Sequence, residues 1–252
     1  MKKAGFVLLR TAVALLLTLT AASCVTPGKT AVLADMQPIA LVSVVSNWDI
    51  NWHGEDAVNP DFIGSGTRRA LRADPDLTVA ANAEELINTA EGLVRKIMPR
   101  TGLLVFADKD AVFAAAAYRE ASLNIRRMSS PYVIPNDYRL INPRNKNFPR
   151  ALAEETDVQR SMFVEFDFFK TMRSGFGKNG QMGALIEMRV LIVDASGQTV
   201  FTRSSSVSSR DTIAVSNGRY SRSGLMTLLE SAITDALFDF LDHLEDRLAD
   251  YL

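Results

Sequence analysis

Few residues of this 252-residue chain have the types and spacing that chemistry needs. There are two histidines, His53 and His243. His243 lies at helical spacing from Asp239 and Asp246, which most simply reflects surface electrostatics. Glu165 and Asp167 alternate, so on a strand they would form a carboxylate pair; a half-solvated sheet face explains the same spacing without catalysis. No H-E-x-x-H, G-x-S-x-G or S-x-x-K is present, and no dense carboxylate cluster makes a calcium loop. Gly64-Ser65-Gly66 precedes Thr67 and Arg68, but lacks the lysine and the spacing of a P-loop. Trp48 and Trp52 stand four apart in a polar stretch. Exposed, they would be membrane-interface anchors or a ligand platform; buried, they would plug a sheet edge. These residues point to no catalytic site, no metal and no cofactor.

The elements that would position such residues centre on 160–208. Ala184, Ile186, Met188, Val190 and Ile192 fall on alternate positions, with Glu187 and Arg189 on the opposite face, which predicts a half-buried strand. Asp194-Ala195-Ser196-Gly197-Gln198 breaks the run and Thr199 to Arg203 resumes it, a hairpin signal. Met162 to Met172 forms the strand before. The predicted fold is α/β (α+β): a mixed, largely antiparallel sheet covered by amphipathic helices.

The N-terminus has a different character. Lys2 and Lys3 precede a mostly apolar run, Thr11 to Ala22, too short to span a bilayer. Ala21-Ala22-Ser23 and the single cysteine, Cys24, follow. This stretch resembles a bacterial lipoprotein signal, although Ala21 stands where leucine is commoner. The resemblance implies cleavage before Cys24, which would carry diacylglycerol and an acylated amine. It divides the chain into a signal peptide (1–23), a lipidated tether (24–37) and one domain (38–252). Without Lys2, Lys3 and Arg10 the 28 basic residues become 25 against 29 acidic ones, a formal charge of −4. That balance argues against nucleic-acid binding.

Along the body, Ile39 to Ser46 reads as a buried strand. Asn82 would cap a helix running to about Met98, with Leu86, Ile87, Ala90, Val94 and Ile97 as its apolar stripe. Leu103 to Phe106 is a short strand candidate, and Asp108 would cap a second helix running to about Ala121. Between Tyr118 and Arg150, Arg126, Arg127, Arg139, Arg144 and Lys146 alternate with Tyr132, Tyr138, Phe148 and four prolines. That stretch reads either as a docking surface for an anionic partner or as a long loop whose arginines pair with acids elsewhere. A short helix is expected over Pro149 to Asp157. In the turn between the two long strands, Phe176 is flanked by Arg173 and Lys178. Such a loop would dip into an anionic membrane surface, or would simply end a hairpin. The longest helix spans about Ser221 to Leu252, with a stripe from Leu225 to Leu244 and an acidic remainder. Acidic side chains favour packing on the sheet over an interfacial role.

The order of these elements, with the phrase Val190-Leu191-Ile192-Val193-Asp194-Ala195-Ser196-Gly197-Gln198-Thr199-Val200, resembles periplasmic lipoproteins of envelope assembly. It is similar in outline to the small α/β lipoproteins that activate cell-wall synthases, to the curli-secretion lipoprotein's periplasmic domain and to the concealed outer-membrane lipoprotein of treponemes. The resemblance implies a non-enzymatic protein held at the periplasmic face of the outer membrane by acylated Cys24. Val25 is compatible with that sorting. No other residue is carried over from the resemblance. Read from the residues themselves, the body would bind lipid, such as phospholipid, or the membrane surface, through amphipathic helices and the candidate membrane or anionic-ligand contacts Trp48, Trp52, Arg126, Arg127, Arg139, Arg144, Lys146, Arg173, Phe176 and Lys178. The alternative is a module that docks an envelope or secretion assembly protein.

Overall fold

The computed structural model describes residues 38–53, 73–124, 131–176 and 178–249. The fold is mixed α/β with a largely antiparallel sheet, as the alternation predicts. Its spine is a hairpin of two long strands, β5 (Arg160–Phe176) and β6 (Asn179–Asp194), paired from Arg160↔Asp194 to Phe176↔Asn179. β7 (Thr199–Ser208) pairs antiparallel with β6. On the other side, β1 (Ile39–Asn47) runs parallel to β5. A two-residue strand, β4 (Tyr132–Val133), closes that edge, giving the order β4-β1-β5-β6-β7. Two further short strands flank the far half of the hairpin: β2 (Asn51–Trp52) on β5, and β8 (Ile213–Val215) on β6. A separate two-stranded ladder joins β3 (Leu77–Thr78) to β9 (Tyr220–Ser221).

The two faces of the sheet follow from the period-two rule. Met162, Val164, Phe166 and Phe168 of β5 and Ala184, Ile186, Met188, Val190 and Ile192 of β6 share one face and are buried. Two helices cover it: α1 (Glu84–Ile97) and α5 (Arg222–Ala249), the latter 28 residues long. The opposite face is covered only near the start of β5. There α2 (Lys109–Ala114), α3 (Ala116–Glu120) and α4 (Asn147–Thr156) bury Ala40, Val42, Phe163 and Val193. The far half of this face is polar.

Several local expectations are corrected. Asp108 caps α2 by accepting from Ala111 N at 2.8 Å, but Ala115 turns out of helical geometry (ψ 135°), so the predicted single helix is two. Leu103 to Phe106 forms no strand; Phe106 alone bridges Ile39. The serine-rich stretch after Arg203 is strand to Ser208. Asn82 accepts from Glu84 N at 3.2 Å, while the chain enters α1 through Ala83, whose N–H donates to Trp48 O.

Between β1 and β2 the chain leaves the ladder at Trp48 and Asp49 and returns at Asn51. Asn47 makes this possible. Its Oδ1 accepts from Phe168 N at 2.8 Å and its Nδ2 donates to Phe168 O at 3.0 Å, so the side chain satisfies both backbone groups that the excursion would orphan. Replacing Asn47 with Ala should cost about 2 kcal/mol, the penalty for two unmade bonds to partly buried backbone groups. Urea unfolding reads it; a change below about 0.5 kcal/mol would show the Asn47 bridge to be idle.

Candidate functional site

The sequence-suggested contacts do not form one surface. Trp48, on the excursion between β1 and β2, is 37% exposed, so it does not plug the sheet edge. Trp52 is half-buried. Arg139 turns inward: its Nη2 donates to Ala121 O at 3.4 Å and its backbone N to Tyr118 Oη at 3.1 Å. Arg144 and Lys146 are exposed, beside the β6–β7 turn. Gly197 in that turn has φ +76°, and a Cβ there would stand 2.8 Å from Lys146 Cα, so the two segments meet only because position 197 is glycine. Arg173 and Lys178 belong to the opposite end. Arg173 Nη2 donates to Ser209 O at 3.2 Å, and Lys178 O accepts from Gly218 N at 2.8 Å. Phe176 ends β5 opposite Asn179. Along a 17-residue strand the two basic groups are about 50 Å apart. Arg126, Arg127 and Cys24 lie outside the described residues.

Most aromatics of the Tyr118–Arg150 stretch are core, not surface, Tyr132 on β4 being half-buried. Tyr118, Tyr138 and Phe148 are buried. Tyr138 Oη donates to Glu91 Oε1 at 2.9 Å and accepts from Arg95 Nη2 at 2.7 Å, while Lys109 Nζ lies 5.0 Å from the Tyr138 ring centroid. Phe113 stacks on Tyr118 at 4.6 Å. Burial pushes the Tyr118 phenol up to about 12 and raises that of Tyr138 as well. The stretch therefore staples α1, α2 and α3 together, and its inward-turned tyrosines cannot serve as membrane anchors.

Two polar arrangements remain near the far half of the hairpin. The first is the polar sheet face. Glu165 and Asp167 do share it, opposite Arg189 and Glu187. His53 is added from β2's end: its Nε2 lies 3.6 Å from Glu187 Oε1, and its ring meets Phe169 edge-on at 5.2 Å. Thr202, Ser204 and Ser206 of β7 continue the face and are exposed. This is a rigid, mixed-charge surface with Phe169 and Leu191 half-buried in it. Both partners of the His53–Glu187 pair are close to half exposed, so the contact adds little stability.

The second arrangement was not foreseen. Lys170 occupies the apolar phase of β5, where Phe166 and Phe168 precede it, and is 4% exposed. Its Nζ donates to Tyr220 Oη at 3.1 Å and sits 5.3 Å from the Trp52 centroid and 5.2 Å from that of Tyr220. Tyr220 thus meets the ammonium group through its hydroxyl, and Trp52 lies within cation–π range of it. Burial lowers the Lys170 amine to about 8, partly offset by the charge of Asp49. A lysine falling on the buried phase of an alternating strand was the sequence signal available for it. Among the described residues, no group of three His, Cys, Asp or Glu side chains is placed to hold a metal ion. No described helix is long and apolar enough to cross a membrane.

No family model matches the chain, and no curated protein matches it. Among solved structures it is similar to lipoprotein GNA1162 from Neisseria meningitidis, with 13% identity over 81% of this chain and 99% of that one, at a TM-score of 0.33. It is also similar to the LpoB C-terminal domain from Salmonella enterica, with 7% identity over 71% of this chain and 91% of that one, at 0.25. Likenesses this weak carry no argument about the chain's activity or partners.

Proposed function

We propose that this chain is a non-enzymatic lipoprotein of the bacterial cell envelope, anchored through Cys24, whose body docks a protein partner on the polar face of its sheet. The anchor rests on the signal-like stretch ending at Cys24. One observation carries the choice of a protein over lipid: the apolar stripes of both amphipathic helices are spent on the sheet. Leu225, Leu229, Ile233, Leu237, Phe240, Leu241 and Leu244 of α5 are each at most 1% exposed. A bilayer would compensate α5 for its own apolar side chains, but lifting the helix would open to water the sheet face of the core it shares. That face includes Met188, Val190, Ile192 and Phe201, and exposing it costs roughly 1.5–3 kcal/mol per side chain, a large part of a domain's stability. A rigid polar face with half-buried apolar side chains within it suits a protein partner instead.

The test uses the chain lacking residues 1–24, since the described core lies within 39–249. It should not cosediment with neutral vesicles, and any sedimentation with anionic vesicles should vanish in high salt. In cells carrying the full chain, a photoreactive residue at Glu187 should give one discrete protein adduct, and the same residue at exposed Arg150 none. Salt-resistant binding to neutral vesicles would overturn the proposal and return the body to lipid.

A further inference from the structure

The two edges of the sheet are treated differently. One edge is β1, which β4 pairs only at Ser46 and Asn47. From Ile39 to Val45 its residues are buried, and Val105 and Ala107 bond to Ile39, so that edge is covered rather than open. The other edge is β7. After the register shift at its start, Phe201 to Ser208 runs eight residues in continuous register with β6. It has no proline or glycine, and its one charged side chain, Arg203, turns to Asp239 Oδ2 of α5 at 3.5 Å. Among the described residues no strand pairs with the outer side of β7. Alternate main-chain N–H and C=O groups there form a ready template for one more strand.

The helix beside this edge supplies the charge. Phe201 packs on Phe240 and near His243, and Arg210 pairs with Asp235 at 3.2 Å, so α5 runs antiparallel over β7. On that flank the spacing places Asp235, Asp239, Asp242 and Asp246 in one row. Arg210 and Arg203 partner the first two. Among the described residues no cation pairs with Asp242 or Asp246, and both are exposed.

We propose that the β7 edge and the acidic flank of α5 together form a docking site for an extended, lysine- or arginine-rich segment of a protein partner, added as a further antiparallel or parallel strand. A second copy of this chain fits worse. Antiparallel pairing of β7 with its own copy would set the two α5 helices flank to flank, each carrying four aspartates against two arginines, so the flanks would repel. A basic strand instead places its alternate side chains against those carboxylates, while its backbone supplies the pairing. The inference rests on the protein-docking reading and adds to the polar face an edge contact beside it, with the chemistry of the segment that fills it.

The probe is an eight-residue peptide of alternating Lys and Thr, titrated into the chain lacking residues 1–24 at low salt, with hydrogen exchange read at the amides of β7. Binding should slow exchange at alternate amides of Phe201 to Ser208. A version N-methylated at alternate residues keeps the charge but cannot pair, and should bind at least tenfold more weakly. A Glu/Thr peptide should not bind. Asp242→Asn with Asp246→Asn, both on the exposed surface, should weaken the Lys/Thr peptide roughly threefold to tenfold. Equal binding of the N-methylated peptide, unchanged β7 exchange, or a dimer of the chain that protects β7 would each overturn the edge as this partner's site. The vesicle and Glu187 adduct results would still judge the broader docking function independently.

Discussion

Replacing Phe240 with Ala should lower the unfolding free energy by about 4 kcal/mol. Phe240 is fully buried at the centre of α5 and meets the Phe201 ring edge-on at 5.7 Å. The groups that would have to close the gap, Ala236 and Leu244 one turn away on α5 and Phe201 on β7, belong to a long helix and a paired strand that cannot collapse inward. The cost is therefore the full transfer term plus a cavity term. Chemical denaturation reads it, and a loss below about 2 kcal/mol would mean that α5 packs loosely enough to leave the sheet. That outcome would also weaken the case against lipid insertion, because the case depends on how firmly this stripe is held.

Lys170 should set the pH dependence of stability. Its amine is lowered in the folded state to about 8, against 10.5 when unfolded. Between these values the unfolded chain binds more protons than the folded one, so stability rises with pH across that window. Below pH 8 the full penalty is present, on the order of 3 kcal/mol. Above pH 10 the sign reverses, because Tyr118, Tyr138 and Tyr220 are all held neutral by burial and resist ionisation that the unfolded chain undergoes. Urea unfolding between pH 7 and 11 should thus show a maximum near pH 10. Lys170→Met should lose the rise from pH 8 to 10 and, because it leaves the buried Tyr220 hydroxyl without its bond to Nζ, should be about 1–2 kcal/mol more stable than the parent at pH 7. A flat parental profile over that range would sink the assignment.

The strands were legible wherever alternation was strict. Ala184 to Ile192 announced both the register and the face, because a one-residue slip would turn five apolar side chains to water. The stripe of α5 was equally plain, since Leu225 to Leu244 repeat at helical spacing on one side only. The stretch from Tyr118 to Arg150 misled for a physical reason. Its prolines and arginines look like a surface loop, but tyrosine carries a polar tip on an apolar body, and only tertiary contacts with Glu91 and Arg95 decide that Tyr138 turns inward. Distance was also invisible. Arg144 and Arg173 lie 29 positions apart in the chain, yet the long hairpin sends them to opposite ends of the sheet. Lys170 was overlooked because neighbouring Thr171 and Arg173 make it resemble an exposed end of strand.

The length of the β5–β6 ribbon has a mechanical meaning. The chain enters the fold at Ile39, paired with Arg160, and the ribbon's turn at Gly175 and Gly180 lies at the far end. For a chain fastened at Cys24, the thirteen residues before Pro38 reach at most about 45 Å, and the ribbon adds about 50 Å beyond the point of entry. The reach of its tip is thus at most roughly 95 Å, more than twice the thickness of a bilayer with its headgroups. On such a tether the body would be a boom: its base, with Arg144 and Lys146, would lie within about 45 Å of the anchor, while its tip would reach up to about twice as far.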